Sequence, residues 1–226
     1  MLLLLALALG AAPVEDSAAR LVRERAELRA QLVAKCPAQK TAIAQLEGAT
    51  SARQVELLRG LEACGDTLEG YFIQLGGALQ QVDRFTEAEA TFRRALAMRV
   101  TEAAQLGLLT ALVRQKKLTP RQQADLDANL DYFRKRTCSR DDLCAGLSYV
   151  AWHVEDVELV KASAERAMAL GFAGWQPWFT EGTVLATGSD ADRRRAVELL
   201  REARRRGGPA KAIDEFLSLL GADAGR

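Results

Sequence analysis

RFTEAEATFRRALAMR, residues Arg84 to Arg99, decides how the whole chain is read. Ala88, Phe92 and Ala95 share one helical face, and charged side chains surround the rest of the turn. The same face returns further along. Seventy-two residues on stand Val160, Ala164 and Ala167, and 108 residues on stand Ala196, Leu200 and Ala203. The copy between them is weaker. Ala124 and Ala128 fall in place, Asp131 does not, and Leu126, Leu130 and Phe133 offer an apolar face beside them. One helix pair cannot bury such a stripe, whereas stacked pairs make a continuous core. Small residues at the repeated positions let helix axes approach closely.

Working outward, the pattern predicts helices over 17–35, 38–46, 50–63, 67–81, 85–98, 102–114 and 119–135, then over 143–153, 157–170, 178–186, 191–206 and 210–220. Thr50-Ser51 and Thr119-Pro120 open two of them, and Asp190 or Asp192 is the expected cap of a third. No strand pattern interrupts. Short connections make successive helices antiparallel neighbours. The fold class expected is all-α, an α-solenoid of stacked antiparallel helix pairs. Residues 17–65 form an N-terminal helical region or cap, 66–206 the repeats, and 209–221 a C-terminal capping helix.

Over Glu69–Val100 the chain resembles the tetratricopeptide repeat family. Leu75 and Gly76 stand where that family's first helix carries Leu-Gly, and Leu79 takes a place usually aromatic. Phe85, Ala88, Phe92, Ala95 and Leu96 match the second-helix pattern, while Val100 replaces the usual closing proline. The copy at 147–168 keeps Leu147, Val157, Ala164, Ala167 and Met168, with Ser148 in place of the small Gly. The copy ending at Ala203 keeps mainly Ala196, Leu200 and Ala203. The resemblance implies a right-handed superhelix that binds proteins or peptides in a groove formed by the first helices of each pair. It implies no cofactor and no catalytic group.

The chain begins with an apolar run, MLLLLALALG, followed by AAP and then Glu15-Asp16. The run is too short to span a bilayer and reads as a signal peptide over residues 1–12, although no Lys or Arg precedes it. The alternative is a retained N-terminal helix. Four cysteines, Cys36, Cys64, Cys138 and Cys144, include no Cys-x-x-Cys pair. In an exported chain they form two disulfides with three possible connectivities, of which Cys36–Cys64 and Cys138–Cys144 are the local staples. The alternative is four reduced thiols. The expected location is the periplasm or another exported position in a bacterial envelope.

Candidate groove residues lie on the first helix of each pair. They are Tyr71, Gln74 and Gln81, then Gln105 and Arg114, then Tyr149 and His153, which are four residues apart on one face. Trp175, Trp178 and Phe179 add an aromatic cluster, and aromatics with Arg are frequent binding hot spots. The plainer reading of the tryptophans is core or corner packing, and of Tyr149 and His153 an ordinary surface role. Cys138, Cys144 and His153 can be drawn as zinc ligands. Nine residues of helix separate Cys144 from His153 by about 13 Å, which excludes a shared metal.

Asp141-Asp142 and Glu155-Asp156 read as helix-start carboxylates. No phosphate-binding Gly loop or Ser nucleophile elbow is present. Arg193–Arg195 and Arg204–Arg206 form one basic rim, interleaved with acids, and the net charge is only +1. That balance argues against nucleic acid as a partner and limits membrane contact to the periphery. The function expected is a non-catalytic protein-interaction scaffold of the envelope. A self-associating helical domain is the alternative, and an enzyme with an unrecognised site a distant third.

Overall fold

The computed structural model describes residues 17–222, and the signal-like start lies outside them. Thirteen α-helices and no strand occur among the described residues. The N-terminal region holds α1 (Ser17–Lys35), a 3-10 turn at Pro37–Gln39, α2 (Lys40–Ala44), α3 (Ser51–Gly60) and α4 (Glu62–Gly65). Helix pairs follow: α5 (Glu69–Gln81) with α6 (Phe85–Met98), α7 (Glu102–Val113) with α8 (Pro120–Arg134), α9 (Asp141–His153) with α10 (Val157–Ala169), and α11 (Gln176–Leu185) with α12 (Asp190–Arg205). The single helix α13 (Ala210–Leu219) packs on α12 and closes the row.

The expected helix over 50–63 is two. Gly60 ends α3, Leu61 leaves the helical region at φ −102° and ψ 1°, and α4 turns toward Cys36. Thr50 and Thr119 cap as expected, accepting hydrogen bonds from the Arg53 and Gln122 amides. The cap of α12 is Ser189, not Asp190 or Asp192. Its hydroxyl accepts from the Asp192 amide while the Asp192 carboxylate accepts from the Ser189 amide, satisfying two helix-end donors at once.

The nine residues of the three strong repeat faces, from Ala88 to Ala203, are all buried. First helices stack on first helices, α5 on α7, α7 on α9 and α9 on α11, and each helix pair packs on the next. Phe92 reaches from α6 into this stack, where a Cβ at Gly76 would meet its ring at 2.7 Å and one at Gly107 would overlap it. Ser148 is tolerated where Gly76 stands one good copy earlier. Its hydroxyl is buried but donates to the Ala145 carbonyl at 2.8 Å and accepts from Thr180.

The weak middle copy is out of register. Ala124 and Ala128 are exposed, and Leu126, Leu130 and Phe133 are the side chains that α8 buries. Aspartate at 131 cannot enter an apolar seam without a partner, so the helix turns the neighbouring face inward. Polar contacts replace much of the lost packing. Glu89 on α6 accepts hydrogen bonds from Arg93, Gln115 and Gln122, and Arg93 also pairs with Asp125 on α8 at 2.8 Å. Burial alone would raise the Glu89 carboxyl, but those three donors hold it below the usual carboxylate range.

The repeat extends into the turns. Asp83, between α5 and α6, has φ 57°, and Glu155, seventy-two residues later between α9 and α10, has φ 58°. In both turns the following amide bonds back to a helix carbonyl, Arg84 to Leu79 at 2.9 Å and Asp156 to Ala151 at 3.0 Å. This is the left-handed closure that helices usually make with glycine.

Both local disulfides form. Cys36–Cys64 has a Cα separation of 5.7 Å and Cys138–Cys144 one of 5.5 Å. The first ties the end of α1 to α4, and the second ties the approach to α9 to its own first turn.

Candidate functional site

A cleft of about 1190 Å³ lies between α1 and the first helices α5, α7 and α9. That is above the ~300–1,000 Å³ of pockets that enclose small ligands. Glycine and small residues set its floor. A Cβ at Gly77 would meet nothing within 4 Å, so α5 presents bare backbone there beside Gln74 and Gln81. Glu69 stands at one side, its carboxylate fixed by the Thr101 hydroxyl at 2.7 Å and by Arg99 at 2.6 Å. Gln80 donates to the Gly107 carbonyl at 2.7 Å and closes the seam between α5 and α7.

α1 forms the opposite wall through Leu21, Glu24, Arg25, Glu27, Leu28 and Gln31. At its N-terminal side, Arg20 pairs with Asp141 and Asp142, and Glu24 pairs with Arg140 at 2.8 Å. Arg140 also holds Asp142 at 2.8 Å. Burial works against the Arg140 charge, yet Asp142 and Glu24 hold it above its ordinary pKa. Asp141 and Asp142 occupy the first turn of α9, where the helix dipole adds to their stabilisation.

Of the sequence candidates, Gln74 and Gln81 line this cleft. Tyr71 does not. It is fully buried, its hydroxyl donates to the Leu58 carbonyl at 2.9 Å, and burial, with Glu62 nearby, pushes its pKa up to about 12. It belongs to the core because Gly65 leaves room for its ring. Gln105 is likewise buried.

Arg114, Tyr149 and His153 come together outside the cleft. Arg114 donates to the Tyr149 hydroxyl at 2.7 Å and lies over the Phe85 ring at 5.2 Å, and Tyr149 meets the His153 ring at 4.4 Å. Partial burial, then the Arg114 charge, lowers the His153 pKa. The aromatic run continues through Trp152 to Phe179, which touches Trp175 and Phe216. Trp178 is buried beneath Arg206, whose guanidinium sits 3.8 Å above its ring. Trp175 and Trp178 belong to a second core built by α11, α12 and α13, against which Trp152 of α9 and Met168 of α10 pack.

Five of the six arginines of the basic rim are paired: Arg193 with Asp190, Arg195 with Glu198, Arg205 and Arg206 with Glu202, and Arg204 with Asp214. Among the described residues no His, Cys, Asp and Glu side chains group to hold a metal ion, and no helix is long and apolar enough to cross a membrane.

Sequence reasoning assigned Asp141 and Asp142 to helix capping and passed over Arg20, Glu24 and Arg140. The only signal was a charged helix start facing a charged α1, and nothing in the sequence says that residues 121 apart meet. No protein-family model, curated protein or solved structure matches this chain.

Proposed function

We propose that this chain is a non-catalytic scaffold of the tetratricopeptide type, with that family's right-handed superhelix, exported to an oxidising compartment such as the periplasm. It binds a segment of a partner protein in the cleft between α1 and α5, α7 and α9. The observation that carries the reading is the cleft itself, about 1190 Å³, open and lined by glutamines, threonines and the bare backbone of Gly77 among charged side chains such as Arg25, Glu27, Glu69 and Arg99. Amide side chains and exposed backbone suit a polypeptide, whose own amides need partners along their length. The two disulfides fit an oxidising compartment, since such bonds are rare in the cytosol.

The test is site-specific photo-crosslinking in the native host. A photoreactive residue at Gln81 should give a discrete protein adduct, and one at exposed Ala97 on the far side of α6 should not. The Gly77→Trp change should fill the floor and abolish the adduct. Equal patterns at both positions, or adducts indifferent to Gly77→Trp, contradict the reading. Self-association has one observation in its favour, Leu219 on α13, 83% exposed. Light scattering of the purified chain and of Leu219→Ser separates it.

A further inference from the structure

Helix α1 is held in two different ways. Of its nineteen residues only Leu28 and Leu32 are buried, both in the half that leads to Cys36. There Leu28 packs over Gly70, and the Cys36–Cys64 bond fixes the helix end to α4. The other half, from Ser17 to Glu27, buries no apolar side chain. Ion pairs tie it to the start of α9. Arg20 pairs with Asp141 and Asp142, Glu24 with Arg140. The cleft lies between these two attachments, and a helix of this length, about 28 Å, bridges it from α5 to α9.

We propose that α1 is a hinged strap. Its disulfide end is a fixed pivot, its Arg20/Glu24 end is a releasable electrostatic latch, and release uncovers the cleft-facing sides of α5 and α7 without unfolding the helix stack. The receptor side of the latch is rigid because Cys138–Cys144 staples the loop that carries Arg140, Asp141 and Asp142. Arg140 and Glu24 are 24% and 41% exposed and Arg20 and Asp141 15% and 6%, so salt weakens the outer Glu24–Arg140 pair first and the Arg20–Asp141 pair less, and leaves apolar packing and covalent bonds intact. Segments with few buried apolar contacts open locally before the rest of a fold does. The proposal does not depend on what occupies the cleft.

Hydrogen exchange of the intact, oxidised protein tests it. Amides of residues 20–30 should exchange at least about tenfold faster than those of α5 and α9, through a local opening. Raising NaCl from about 0.05 M to about 0.5 M should speed α1 alone, as screening shortens the reach of its charges. Arg20→Gln should reproduce the high-salt behaviour at low salt, and Arg20→Lys should restore part of the protection. Gly77→Cys, placed where a side chain has room, should react with a bulky maleimide faster in high salt and faster still with Arg20→Gln. Exchange of α1 at the rate of α5 and α9 overturns the proposal. So does an opening that ignores salt, or one in which α5 and α7 accelerate together with α1. The salt series on the unaltered chain decides the matter even if a variant folds poorly.

Discussion

The ring of Phe92 fills the space that a side chain on Gly107 would need, so α6, α5 and α7 meet around one aromatic group. Gly107→Ala therefore forces the ring or the helix to move, at a cost of about 1–3 kcal/mol for overpacking. Denaturant melts should show that loss. Phe92→Leu, which shortens the intruding ring, should make Gly107→Ala much less damaging. If the double variant loses the full sum of the two single losses, the two sites are uncoupled and the account of the seam is wrong.

Glu155 holds a left-handed backbone, φ 58°, where glycine has no Cβ to clash. The strain of an L-residue there exceeds the extra chain entropy that glycine brings to the unfolded state. Glu155→Gly should thus raise stability by about 0.5–1 kcal/mol net. Thermal unfolding reads the sign directly. Asp83→Gly should gain less, because Asp83 also faces Arg114 at 3.8 Å. A drop in Tm for Glu155→Gly would remove strain as the description of that turn.

Glu181 on α11 is 3% exposed, and burial, reinforced by Glu165, pushes its pKa up to about 7. Its Oε2 has no hydrogen-bond partner. Between about pH 4.5 and pH 7 the folded chain keeps a proton that the unfolded chain has lost. The stability tied to that proton is fully present below pH 4.5 and lost as pH rises through 7, a loss of about 3 kcal/mol. Glu181→Gln should flatten that slope and be the more stable protein at pH 8, while matching the parent near pH 4.5. Identical pH profiles for the two proteins would contradict the assignment.

The sequence made the second helices legible and the first helices less so. Ala88, Phe92 and Ala95 recur because a second helix buries one narrow stripe, and a stripe leaves a period. α7, in contrast, buries side chains nearly all round, from Ala104 through Leu112, and so shows no one-sided pattern to align. The out-of-register α8 was visible in Asp131, which no apolar seam accepts unpaired. The buried Tyr71 was not, because its placement depends on Gly65 in another helix. The cleft was half legible: Gln74 and Gln81 follow from the first-helix assignment, but the wall supplied by α1 depends on ion pairs between distant residues. Periodicity records how neighbours pack and says nothing of which distant charges meet.

The cross-link between Cys36 and Cys64 also fixes how the molecule carries force. Tension applied to α1 passes through the sulfur atoms to the approach of α5, and the loop from Pro37 to Ala63 is left slack. The Arg20 and Glu24 contacts load α9 directly, and once they give way the whole pull passes through the bond to the approach of α5. In the reduced chain the same pull would run through α2 and α3 first and unravel them.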